Sequence, residues 1–179
     1  MPVVIGLRSL CVVGRHEGGA AVQAWEAALE QLCAVNVPED ESARPPDELF
    51  DAVDDLIDAY GADDIAEIVA KAVTTGRVSV REATTFLGVA QWSGTDNGAS
   101  LRHTLDDWVR RADDTVRLRM ALHQEFWPLP TAVEMNAKLT EIIARYPEHQ
   151  AVCTHKIATR QLHEETRACG LSDGSGPEP

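Results

Sequence analysis

PDELFDAVDDLIDAYGADDIAEIVAKAVTTG, residues 46–76, is the stretch on which the fold turns. Leu49, Phe50, Val53, Leu56, Ile57 and Tyr60 recur at i, i+1, i+4, i+7, i+8 and i+11, the rhythm of one buried helical face. Pro46 suits a first helical turn, and Gly61 stops the helix. Asp63 or Asp64 then caps a second helix, which turns Ile65, Ile68, Val69, Ala72 and Val73 inward and ends at Gly76. The expectation is a hairpin of two amphipathic helices.

The same stretch carries the charge. Residues 39–70 hold twelve of the 29 carboxylates and a single base, Arg44, which makes −11 of the net −13. The other 147 residues are almost neutral. Adaptation of a whole protein to salt would spread acid over every face, whereas a local field is what a cationic partner would meet. The hairpin also accepts a local cost. Asp is a poor helix former, and Asp47 with Asp51, Asp51 with Asp55, Asp54 with Asp58 and Asp63 with Glu67 are like charges at i, i+4. Asp58 lies near the wrong pole of its helix, and these effects together amount to about 1 to 3 kcal/mol. The functional expectation is a docking surface for a basic protein, made by Asp47, Asp51, Asp54, Asp55, Asp58, Asp63, Asp64 and Glu67. The competing reading is a solvated face in an Asp-rich composition.

Outward from the hairpin, residues 1–35 read as an N-terminal arm plus a helix. Val3 to Val13 is rich in β-branched residues and suggests a short strand, and from Val22 the positions Val22, Trp25, Leu29 and Leu32 follow helical spacing. Residues 36–46 combine proline with charge and form the expected linker. Residues 47–169 are the helical domain. Ser79 with Glu82 is a capping box opening a third helix to about Leu87. From Ser100 to Trp127 the pattern predicts one long central helix, roughly 42 Å if unbroken. Its outer face carries acid-first pairs at i, i+4: Asp106 to Arg110, Asp107 to Arg111 and Asp113 to Arg117. Pro128 and Pro130 end it, and Thr131 with Glu134 forms a second capping box. The following helix buries Met135, Leu139 and Ile142. Pro147 opens a last helix to about Cys169, whose apolar stripe of Val152, Ile157, Ala158 and Leu162 is thin enough to suit a surface helix or one completed by a partner. Residues 170–179 read as a disordered tail. The fold class is therefore all-α or nearly so, a single bundle of about six helices.

A chain of 179 residues buries about 70% of the surface its unfolded form exposes, so folding requires no cofactor or disulfide. Hydrophobic residues make up 44% and charged ones 25%, and no apolar run reaches membrane-spanning length. The N-terminal apolar stretch is broken by Gly6 and Arg8 and lacks a small-x-small cleavage site, which sets the expected location as cytoplasmic. Cys11, Cys33, Cys153 and Cys169 form no C-x-x-C pair, so reduced thiols are expected.

Three further patterns have a plain structural reading beside a functional one. Val80-Arg-Glu-Ala-Thr-Thr-Phe-Leu-Gly-Val89 resembles the second helix and Gly-Val turn of bacterial helix-turn-helix regulators, over about ten residues. That resemblance implies a DNA-binding transcriptional regulator with a recognition helix from about Ala90, where the chain instead runs into Ser-Gly-Thr-Asp-Asn-Gly, and residues 71–92 carry only +2 beside the acidic hairpin. His149 and Cys153, neighbours at i, i+4, are weak metal candidates and would need a third ligand in a metal-dependent bundle enzyme. Gly14-Arg-His-Glu-Gly-Gly19 has the glycine content of an anion loop, without the Lys-Ser/Thr of a P-loop. The reading adopted is a non-enzymatic regulatory or interaction protein with no catalytic residues and no cofactor, a basic protein partner, no nucleic acid and no membrane, and with self-association allowed.

Overall fold

Local signals set most of the helix ends. The computed structural model describes residues 19–40, 44–61, 64–93 and 96–168. Among them are eight α-helices: α1 (Gly19–Ala34), α2 (Asp47–Tyr60), α3 (Ile65–Thr74), α4 (Val80–Ala90), α5 (Ala99–Arg111), α6 (Thr115–Leu122), α7 (Ala132–Arg145) and α8 (Gln150–Ala168). A 3-10 turn at Pro147–His149 leads into α8, and no strand occurs among the described residues. The expected strand at Val3 to Val13 and the tail at 170–179 lie outside them. The all-α class holds, with eight helices where about six were expected. No helix among the described residues is long and apolar enough to cross a membrane.

Gly61 ends α2 with φ +91°, a conformation that favours glycine, and its N–H donates to the Ile57 carbonyl. Ser79 opens α4 with both halves of its capping box made. At α7 only half a box forms. Thr131 accepts from the Glu134 N–H, but the Glu134 carboxylate takes Arg110 Nε at 3.2 Å instead of returning to the cap.

The expected long central helix is two helices. α5 stops at Arg111, Ala112 is left-handed (φ +47°), and α6 begins after Asp114, whose carboxylate accepts from the Arg117 N–H at 2.8 Å. Aspartate is a poor interior residue and a strong N-cap, so Asp113 and Asp114 together favour a new start over continuation. The carbonyl that the break frees on Ala112 accepts the Tyr146 hydroxyl at 2.9 Å. The break also re-pairs the charges. Arg110 meets Asp107 (3.3 Å) and Glu134 (3.2 Å), and Arg117 meets Asp114 (2.8 Å) and Glu67 (2.6 Å). Asp106 turns inward to the Leu129 N–H, and burial raises its carboxyl above the usual range.

One apolar cluster runs from Ala28 and Leu32 of α1 through Leu56, Phe86, Trp108 and Leu118 to Cys153 of α8. α1 lies on α2, α2 on α4, and α6 packs against α3, α4 and α5, while α8 rests on α7. Val37, within the expected linker, is buried in this cluster, and the Val37 and Pro38 carbonyls accept Arg81 at 3.2 and 2.6 Å.

Candidate functional site

A helix advances about 100° per residue, so Asp47, Glu48, Asp51, Asp54, Asp55 and Asp58 of α2 fall within an arc of about 120°. All six are exposed, while Leu49, Ala52, Val53, Leu56 and Ile57 are buried beneath them. The apolar underside fixes which way the acids point. Among the described residues Arg44 alone forms an ion pair with this face, its Nη2 3.0 Å from Asp47 Oδ1 with both side chains open to water. Asp51, Asp54, Asp55 and Asp58 form no ion pair with any described residue.

An open cleft of about 540 Å³ separates α2 from the end of α1, with Glu48, Asp51 and Asp55 on one wall and Ala34, Val35 and Asn36 on the other. α1 carries no base in its last turn, so the negative pole of its dipole faces the same space as the three carboxylates. Every charged group lining this cleft is an anion, which suits a Lys or Arg side chain.

The rest of the expected acidic set lies elsewhere. Glu67 stays exposed but is engaged by its own chain: it accepts Arg117 Nη2 at 2.6 Å, Arg117 Nε at 3.1 Å and the Trp108 indole N–H at 3.1 Å. The Arg117 hydrogen bond, against some burial, holds its carboxyl below the usual range. Asp64 stays exposed beside Glu67 and Lys71, on the rim of a second open cleft of about 500 Å³ between α3 and the start of α6. Asp63 lies outside the described residues. The structure thus gathers the α2 acids into one face and withdraws Glu67 from it.

The segments that resemble a helix-turn-helix are two core helices, α3 and α4, joined through a turn in which Gly76 has φ +73°. Arg81, a cation that a DNA reader would expose, is spent on the Val37 and Pro38 carbonyls. Where a recognition helix would begin, residues 91–92 and 96–98 form turns, and the next helix starts at Ala99.

His149 and Cys153 are both buried against the body of the protein. Burial pushes the Cys153 thiol up to about 11. Among the described residues no group of three His, Cys, Asp or Glu is placed to hold a metal ion. Of the glycine-rich loop at 14–19, only Gly19, the first residue of α1, is described.

Sequence reasoning missed a buried polar chain through three helices. Gln91, just past the end of α4, donates to Leu87 O and Gln124 Oε1, and Gln124 donates to Thr84 O and Met120 O. The Gln124 carbonyl in turn accepts Lys156 Nζ of α8 at 2.6 Å. The available signal was spacing, since Lys156 continues the His149, Cys153 row at i, i+4, i+7 on the face that α8 buries. Comparison with protein-family models, with curated proteins and with solved structures finds no match for this chain.

Proposed function

We propose that the protein is a non-enzymatic interaction or regulatory protein of the cytoplasm whose acidic α2 face docks a basic protein. The observation that carries this reading is the six-carboxylate arc over a wholly apolar underside, with Asp47 alone in an ion pair among the described residues. Unpaired carboxylates on one rigid face supply both long-range steering of a cationic surface and short-range acceptors for Lys and Arg. The cleft beside α1 gives one such side chain a place with anions on one wall and a helix C-terminus on the other.

The test uses intact protein as bait in lysate of the source organism at low salt, beside a variant carrying Asp51→Asn, Asp54→Asn, Asp55→Asn and Asp58→Asn. A basic protein retained by the intact chain and lost from the variant is the expected result, with affinity that falls steeply as salt is added. Equal retention by both baits overturns the proposal. A mobility-shift assay at low salt accompanies it: this reading predicts no affinity for DNA, and a shift would favour the regulator that Val80 to Val89 resembles.

A further inference from the structure

The underside of α8 differs in kind from that of every other helix. Its fully buried apolar side chain is Cys153, with Val152 and Ile157 partly buried beside it. The other two buried side chains along residues 147–167 are ionisable: His149, in the 3-10 turn that leads into α8, 7% exposed, and Lys156, 5% exposed. From Gln161 to Arg167 every residue is exposed.

Polar contacts make up what the apolar stripe lacks. Lys156 Nζ donates to the Gln124 and Phe126 carbonyls at 2.6 and 2.9 Å. Arg160 donates to the Pro130 carbonyl and lies 5.0 Å over the Trp127 ring, while the Trp127 indole N–H donates to Thr159. All of these tie α8 to the connection between α6 and α7, residues 123–131.

Among the described residues no carboxylate pairs with Lys156 or His149. Lys156 faces Glu125 from the connection and Cys153 on its own helix, and burial dominates both, bringing the amine down to about 8. His149 has Glu148 beside it, Arg119 across from α6 and the Tyr146 ring at 6.2 Å, and burial again lowers it. Its Nε2 is buried with no hydrogen-bond partner. A neutral imidazole can leave that nitrogen bare, but an imidazolium carries a proton there that no acceptor meets.

We infer that α8 is a proton-gated helix, released from α7 and from the 123–131 connection when His149 gains a proton and held more tightly when Lys156 loses one. The two groups act in separate windows. The docked imidazole resists charging, so docking is undiminished above its ordinary value of about 6.5 and weakens as pH falls below it, until the docked ring also protonates. The Lys156 amine charges in the docked helix below about 8, so docking tightens as pH rises from 8 towards the ordinary lysine value of about 10.5. A helix held by few apolar contacts is the element in which such terms decide the equilibrium.

Hydrogen exchange of the intact chain between pH 5 and 8, corrected for the intrinsic rate, compares α8 amides with those of α4. The expected result is an α8 protection that falls further than that of α4 as pH drops below 6.5. His149→Gln should abolish this difference. Parallel loss in the two helices, or an unchanged difference in the variant, overturns the inference. An NMR titration of the wild-type His149 ring gives a second reading that needs no variant: a midpoint below about 6.5 is expected, and one at or above it sinks the gate.

Discussion

α2 and α8 are opposite solutions to the same problem. α2 places its charge outside and holds itself with five buried apolar side chains, whereas α8 brings ionisable groups inside and has one fully buried apolar side chain, Cys153. Burial of hydrocarbon is indifferent to pH, but a buried amine or imidazole gains and loses protons against its surroundings. The lesson is that a helix is switchable in proportion to the share of its anchorage that titrates. α2 is a fixed platform for an electrostatic face, and α8 is a movable part.

The sharpest way to break this contrast is truncation. Leu56→Ala on the underside of α2, where Leu56 has no exposed surface, should cost about 2 to 5 kcal/mol in urea unfolding. Ile157→Ala on α8, where the side chain is only partly buried, should cost about 1 kcal/mol. Equal losses would mean that α8 is anchored by packing after all.

Titration should do the reverse. The Lys156 amine is displaced to about 8, so its charged form is penalised in the folded chain, fully so below 8 and progressively less up to about 10.5. Wild type should therefore gain about 2 kcal/mol over that window relative to Lys156→Met, read as the difference between the two proteins in denaturant melts at pH 8 and pH 10. The comparison with the variant matters because Cys153 acts in the opposite sense. Its buried thiol resists ionisation, so stability is lost from this group as pH rises through the ordinary thiol range, and more so in the variant, which lacks the Lys156 charge that draws the thiol down.

The smallest effect sharpens the α2 side. Asp51→Asn, Asp54→Asn, Asp55→Asn and Asp58→Asn together remove the like-charge neighbours on the helix and should raise stability by about 1 kcal/mol at low ionic strength, with the gain fading in high salt. A gain in the absence of any partner would show that the native acids are kept at a local cost. No gain would return them to an ordinary solvated face.

Features encoded by neighbouring residues were legible, and those encoded across the chain were not. The capping box of Ser79 and Glu82, the stop at Gly61 and the two faces of α2 depend on residues within one or a few turns, and all appear as expected. Glu134 matched the same local motif, yet Arg110, 24 residues away, takes its carboxylate. Glu67 read as part of an acidic surface because nothing nearby announces Arg117, 50 residues on. Lys156 drew no reading of its own from the sequence. Its spacing continues the His149, Cys153 row, but the Gln124 and Phe126 carbonyls that hold it come from the connection through Pro128 and Pro130, which nothing within α8 announces.

The bend at Ala112 carries a consequence for the order of assembly. It is fastened by Tyr146, 34 residues downstream, and through Arg117 by Glu67, 50 residues upstream. Both fasteners require large loops to close before they act, so the joint is a late event in folding. Contacts absent from the transition state govern the rate of leaving the native state and not the rate of reaching it. Loosening the corner between α5 and α6, as by Tyr146→Phe, is therefore expected to speed unfolding more than it slows folding.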